Sequence, residues 1–431
     1  MSHTRDTIDR IGRECYGRLL AILAARSNDL AAAEDALSEA FSEALSHWPE
    51  SGIPDNPEAW LLTTARRKRL DGLRRSAIQQ RALNHVGNAI ATEESRMLKS
   101  QREIDSDSTL EIGDERLKLM FVCAHPAIDE ATRTPLMLQT LIGLDAASIA
   151  SSLLIAPTTM GQRLSRAKRK IRDARIPFQI PDEAELVARL ASVLETIYAA
   201  FGLGWDDARC TPDASTNLTA EAIWLARTTC ALLPNHPETL GLLSLMLFCD
   251  ARAASRRGDC GEYVPFEEQS IDKWDLRKIE EAEVLLRQAS QMSQVGPFQL
   301  EAAIQSAHTF RRLSGCNNWV DIMRLYEALL SYSPTFAATI GYALALAQTH
   351  GPMSALSQLD RLESERVKSH LPYWATRAEL LSRLGRHAEA VEDYHRAIGL
   401  AIDPAVRSFL QERVKRAVGG AFTNCVSGQK T

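Results

Sequence analysis

Residues 141–175, LIGLDAASIASSLLIAPTTMGQRLSRAKRKIRDAR, constrain this chain more than any other stretch. Asp145 is placed to cap a short helix with Ile149 and Leu153 on its inner face. Pro157 suits the first position of the next helix, where its missing N–H has no intrahelical partner to lose. Met160, Leu164, Ala167, Ile171 and Ala174 then follow at helical spacing, as one continuous apolar stripe. The other arc carries Thr159, Gln162, Arg163, Arg166, Arg169, Lys170 and Arg172. A helix apolar on one side and guanidinium-rich on the other, behind a tight turn, suits a DNA major groove. The competing reading is a solvated basic face on an ordinary helix. The short helix and turn ahead of it favour the first. Gly161 inside the helix costs roughly 1 kcal/mol relative to Ala.

A second basic helix lies nearer the N-terminus. In 56–75, NPEAWLLTTARRKRLDGLRR, Asn56 is the candidate N-cap and Pro57 opens the first turn. Leu62, Ala65, Leu70 and Leu73 can share a face, and Arg66, Arg67, Lys68, Arg69, Arg74 and Arg75 load the rest. An acidic amphipathic helix over 30–48 precedes it. Ala33, Leu37, Ala40, Phe41, Ala44 and Leu45 point inward, while Asp35, Glu39 and Glu43 recur every four residues outside.

These motifs carry a resemblance. GLDAASIASSLLIAPTTMGQRLSRAKRKIRDA resembles region 4 of sigma-70 family factors of the extracytoplasmic-function group (group IV), the region that binds the −35 promoter element. AEDALSEAFSEAL resembles the region 2 helix that docks on the polymerase clamp. AWLLTTARRKRLDGLRR resembles the helix that melts and holds the −10 element. The resemblance implies −35 contacts from Thr158, Thr159, Gln162, Arg163, Arg166 and Lys170. It implies −10 contacts from Asp55, Asn56, Trp60, Arg66, Arg67, Arg69 and Arg74, and core-polymerase contacts from Asp35, Glu39 and Phe41. Melting needs backbone neutralisation by Lys and Arg and a platform or pocket for extruded bases. Trp60 is either that platform or a buried aromatic at a helix start. Asp55 and Asn56, in SGIPDN, lie where the family forms a pocket for a flipped base; turn chemistry also accounts for both. One departure is Leu154, where many such turns have Gly.

The length of 431 residues predicts two to four domains, and 45% hydrophobic with 24% charged residues is a globular composition. No wholly apolar run reaches 18 residues, and MSHTRDTIDR lacks the apolar core of a signal peptide. The eight cysteines include no CxxC pair. A reduced, cytoplasmic protein without a membrane, metal or cofactor is the expectation. The net charge of −5 conceals a division. Residues 1–180 carry 25 Lys+Arg against 24 Asp+Glu, and the remainder carries 25 against 31. Two basic helices separated by acidic segments suit local nucleic-acid contacts better than general polyanion binding.

The expected fold is all-α. Residues 5–85 form one helical unit, 86–112 an acidic linker, 113–176 the helix-turn-helix domain, and 182–420 a helical extension, after a helix break at 176–181. Residues 374–400, WATRAELLSRLGRHAEAVEDYHRAIGL, resemble a tetratricopeptide repeat, with Leu384-Gly385 at the turn and Ala390, Tyr394 and Ala397 packing on the second helix. The whole chain resembles a subgroup of these sigma factors with such an extension. It departs where relatives commonly carry Asn-Glu-Gly-Tyr (here Gly202-Leu203-Gly204-Trp205) and Asn-Arg-Ala (here Gly341-Tyr342-Ala343). Stacked helix pairs leave a concave face that suits a protein partner or ligand.

The function implied is an alternative sigma factor. It recruits core RNA polymerase to promoter DNA, recognises −35 and −10 elements, and holds melted DNA, with the extension acting in cis. The alternative is a helix-turn-helix regulator on a repeat scaffold that does not engage polymerase. An enzyme is not expected: there is no Gly-rich phosphate loop, HExxH, GxSxG or paired-carboxylate motif, and Asp206-Asp207 and Glu267-Glu268 read as solvated loop charges.

Overall fold

The computed structural model describes residues 2–83, 112–153, 155–207, 212–362 and 367–427. The expected acidic linker falls almost wholly outside the described residues, as does Leu154. The fold is all-α as expected; among the described residues, the one β-type pairing is an isolated bridge between Arg257 and Tyr263. The chain divides into two compact units, Met1–Thr229 and Cys230–Thr431.

The first unit opens with α1 (Ser2–Ser27), α2 (Leu30–Ser51) and α3 (Pro57–Leu83). Ile8, Ile11, Leu19, Leu20 and Leu23 of α1 are buried, and α1 packs on α2 as α2 does on α3. Asp29 caps α2 by accepting from Ala32 N at 3.1 Å. This helix runs one turn beyond expectation, through Pro49, and Gly52 at φ 84° stops it. Leu45 is 46% exposed rather than inward; Trp48 takes the core position instead. In α3 the core residues are Leu61, Thr64 and Ala65, and Leu73, expected on the inner face, is exposed.

Five further helices complete the unit: α4 (Ile112–Cys123), α5 (Glu130–Met137, continued by a π turn, Leu138–Ile142), α6 (Ala146–Ser152), α7 (Pro157–Asp173) and α8 (Glu183–Asp207). The first part of α9 (Pro212–Leu232) also belongs to it. The helix break at 176–181 is present, but the chain then returns. Helix α8 packs on α4, α5 and the π turn. Its buried stripe is Leu186, Leu190, Val193, Leu194, Ile197 and Phe201. Buried Arg189 donates to the Phe121 carbonyl at 3.2 Å. Glu183–Gly204 is the one described helix long and apolar enough to cross a membrane; half of it is buried in this packing.

The second unit contains α10 (Pro237–Ala251), α11 (Leu276–Ser290), α12 (Pro297–Ser314), α13 (Trp319–Tyr332), α14 (Phe336–Thr349), α15 (Pro352–Leu359), α16 (Leu371–Arg383), α17 (His387–Leu400) and α18 (Pro404–Ser427). Helix α10 is buried almost all round, between α11 and α12. Its Glu238 accepts from the Phe298 and Gln299 amides, at 3.1 and 3.0 Å, and so caps α12 from a distance in sequence. Between α16 and α17 Gly385 makes the turn at φ 74°, and Ala390, Tyr394 and Ala397 are buried, as expected. Gly341, one of the departures noted above, has a packing reason. A Cβ there would sit 2.4 Å from the Tyr326 ring, so the α13–α14 approach requires glycine.

Residues 252–275 tie the unit together. Arg257 pairs with Asp403, Tyr263 meets Phe409 edge-on at 5.3 Å, and Glu268 pairs with Arg413 at 3.2 Å. Glu267 pairs with Arg311. The Glu267-Glu268 pair is therefore bound, not merely solvated. On the other side of this loop, His308 lies edge-on to both Phe266 and Trp319, each 5.5 Å away. Burial, with Arg311 and Arg252 nearby, holds its imidazole down at about 4. A depressed imidazole contributes stability that is complete above its ordinary value of 6.5 and is lost as pH falls towards 4. The limiting loss is about 3 kcal/mol. Urea midpoints followed by tryptophan fluorescence should fall over that window, and His308→Gln should flatten the slope.

Candidate nucleic-acid and polymerase interface

Helices α6 and α7 form as their residues dictate. Asp145 accepts from Ser148 N at 2.7 Å and from the Ser148 hydroxyl at 3.2 Å, and these bonds hold its carboxyl below the usual range. Ile149 is buried, but Leu153 is 47% exposed because α6 ends at Ser152. Pro157 occupies the first turn of α7. Met160, Leu164, Ala167 and Ile171 are buried; Ala174, expected to close the stripe, lies past the helix end and is exposed.

Thr158, Thr159, Gln162, Arg166, Arg169 and Lys170 are exposed on α7, and Arg163 is half-buried. Arg163, Arg166 and Lys170 line a cleft of about 640 Å³, whose opposite wall is Ala127, Ile128, Asp129, Ala131 and Thr132. Arg163 and Lys170 therefore flank the helix on the α5 side. Helical spacing puts Gln162, Arg166 and Arg169 at the centre of the exposed arc. Arg169 is a site candidate that the resemblance did not supply, although its place in the basic arc signalled it. A Cβ on Gly161 would meet nothing within 4 Å, so the fold itself does not demand glycine there.

Lys168 is different. It is buried, and its ammonium pairs with Glu34 of α2. Its position four residues after Leu164 places it on the edge of the apolar stripe, which is the sequence signal for its burial.

On α2, Asp35 and Glu39 are exposed and Phe41 is half-buried against α1, 3.8 Å from a Cβ built on Gly12. Glu43 turns to Lys68 of α3 at 2.6 Å. At the start of α3, Asn56 accepts from Ala59 N at 3.0 Å, so its side chain serves as the cap, and Asp55 beside it is exposed. Trp60 is half-buried, stacked on His47 at 6.5 Å and edge-on to Trp48 at 5.3 Å. Arg67 and Arg74 are exposed and Arg69 is half-buried. Arg66 is also half-buried; burial and the neighbouring Arg26 guanidinium hold it down at about 10. Arg75 has no described side chain. The arrangement offers one basic helix, one acidic face and an aromatic pair beside a capped loop. Among the described residues, no group of three His, Cys, Asp or Glu is placed to hold a metal ion.

The model of sigma-70 region 2 matches residues 13–78, which are α1–α3. The chain carries a sigma-70 region 2. That region binds core polymerase and melts promoter DNA in sigma-70 factors. A family of unknown function (DUF6596) matches residues 189–290. An uncharacterized protein, R00370, of Rhizobium meliloti (strain 1021) is 33% identical over 389 residues, covering 90% of this chain and 89% of its own length. The chain belongs to the same family as that rhizobial protein. No solved structure matches.

Proposed function

We propose that the chain is an alternative sigma factor of the extracytoplasmic-function group. Region 2, α1–α3, supplies the core-polymerase surface on α2 and the −10 helix α3. Helices α6 and α7 act as region 4 and read the −35 element. The observation that carries the reading is the region 2 match over residues 13–78. It is supported by a helix-turn-helix whose second helix exposes Gln162, Arg166 and Arg169. The work is differential binding and not catalysis, and the protein acts without a cofactor in the cytoplasm. The second unit is a tetratricopeptide-like helical stack that regulates the first in cis and takes a protein or small-molecule partner on its concave face.

Run-off transcription with core polymerase tests the sigma reading: transcripts support it, and DNA binding without transcripts favours a regulator that does not engage polymerase. Asp35→Arg with Glu39→Arg reverses charge on the exposed side of α2 and leaves buried Ala36, Leu37 and Ala40 in place. Core binding is expected to fall at least tenfold with helicity unchanged. Undiminished co-purification with core polymerase at physiological salt would count against α2 as the docking helix.

A further inference from the structure

The second unit holds one of its own segments as a ligand would be held. Residues 256–269 leave the helices at a neck, where Trp274 Nε1 donates to the Ser255 hydroxyl at 3.0 Å and that hydroxyl reaches Gln269 Oε1 at 3.3 Å. From the neck the segment spans from α12 to α18, the last helix. Its charge is one-sided: 258–270, GDCGEYVPFEEQS, has four carboxylates and no Lys or Arg. Asp259 and Glu262 are used locally, on Lys273 and the Cys260 amide. Glu267 and Glu268 are used on the helices, on Arg311 of α12 and Arg413 of α18. Two rings anchor the same stretch. Tyr263 meets Phe409 of α18 edge-on, and Phe266 lies edge-on to His308 of α12. Arg312 of α12 donates to the Gln269 carbonyl.

This seat is basic and its occupant is weakly held. The Glu267 and Glu268 side chains are 54% and 59% exposed, so both pairs are screened by water and salt. The arginines beneath are more enclosed. Among the described residues, the Nε atoms of Arg311 and Arg312 are buried without an acceptor. A buried N–H left unpaired is unfavourable. A carboxylate in bidentate geometry satisfies two guanidinium N–H groups at once. The tether, which sets an effective concentration on the order of millimolar, keeps the segment seated although it leaves those donors unfilled.

We infer that Arg311, Arg312 and Arg413, with Phe409 and His308, form a binding site for an acidic peptide of a partner protein, and that residues 256–269 are its tethered competitor. The chemistry recognised is that of the occupant: two aromatic side chains followed by adjacent carboxylates, as in Tyr263, Phe266, Glu267 and Glu268. The partner binds by displacing the segment, so the seat stays closed until the partner outcompetes the tether. This inference deepens the proposal that the second unit takes a protein partner, and rests on it for its biological meaning. Neither polymerase nor DNA enters the test, so its failure removes this site and leaves the sigma reading standing.

In the full-length chain, Glu267→Arg with Glu268→Arg repels the segment from Arg311 and Arg413 and leaves the seat intact. Hydrogen exchange across 257–268 should rise several-fold, with the helices of the second unit still protected. A fluorescein-labelled peptide of residues 262–270, EYVPFEEQS, should bind this opened variant about tenfold tighter than the wild-type chain, where the tether competes. The same peptide with glutamine in place of both adjacent glutamates should lose that binding. Arg311→Gln with Arg413→Gln, added to the opened variant, should lose it too. Glu267→Gln with Glu268→Gln gives the same readouts if the charge reversal fails to fold. Unchanged exchange in a folded variant overturns the weak seating. Peptide binding no tighter than to the wild-type chain overturns the site. A single-stranded oligonucleotide of equal charge that binds the opened variant as well as the peptide does would make the seat a general polyanion surface and overturn the peptide assignment.

Discussion

A chain ending after Phe178 should lose the fold of α4–α7, whereas one ending after Leu232 should keep it. The sequence break at 176–181 invites the shorter cut. That cut removes α8, and with it Leu186, Leu190, Val193, Leu194, Ile197 and Phe201, all 4% exposed or less. Burying one such side chain contributes roughly 1.5–3 kcal/mol, so six amount to roughly 9–18 kcal/mol. That is comparable to the whole stability of a typical domain, about 5–15 kcal/mol. The cut also leaves the Phe121 carbonyl without Arg189, and Arg116 without Glu221, its partner at 2.8 Å. Thermal melts followed by circular dichroism should show a cooperative transition for the longer chain and none for α4–α7 in the shorter. Equal melting of the two would show that α8 is dispensable. Loss of transcription on the shorter cut would therefore report unfolding before it reported regulation, and the longer chain is the one that tests control by the second unit.

Arg163→Ala with Arg166→Ala should weaken binding to a −35 duplex about 100-fold, at 1–3 kcal/mol for each contact. The two residues should fail differently. Arg166 is exposed at the centre of the outward arc, so its loss should relax preference at one base pair. Both line the cleft walled by 127–132, but Arg163 is half-buried at the edge of the helix, where a backbone phosphate is the expected contact. Its loss should weaken all duplexes alike and reduce the salt dependence. Binding isotherms on single-base-pair variants at two salt concentrations separate these outcomes. Unchanged −35 affinity in the double variant would place the DNA surface elsewhere.

The all-α architecture, helices α6 and α7 and the caps at helix starts were legible in the chain because they rest on local rules. Asp145, Pro157 and Asn56 do at their helix starts what their side chains do in any short peptide, and Met160, Leu164 and Ile171 mark a buried stripe by spacing alone. The failures sit where cover runs out. Leu45 and Leu73 lie inside their helices and Leu153 and Ala174 just past theirs, and all four continue a periodic pattern beyond the point where a neighbouring helix covers it; periodicity does not say where a neighbour stops.

Of the site itself, residue types and the exposed arc of α7 were readable, and so was the acidic spacing on α2. Which acidic residue remains outward was not. Asp35 and Glu39 stay exposed, Glu43 goes to Lys68, and Glu34 goes to Lys168, 134 positions away. Likewise Arg66, one basic residue among several in sequence, is set apart by burial beside Arg26.

By itself the amino-acid sequence determined the helices, their caps and the chemical character of each face, because hydrogen bonding within a turn and the 3.6-residue period act over a few neighbours. Tertiary structure alone decided that α8 closes the core over α4 and α5, that Glu238 caps a helix 60 residues on, and that α2 of region 2 and α7 share one ion pair. Those outcomes depend on which surfaces meet. Burial and charge pairing are properties of a meeting between distant segments, and neither segment carries them alone.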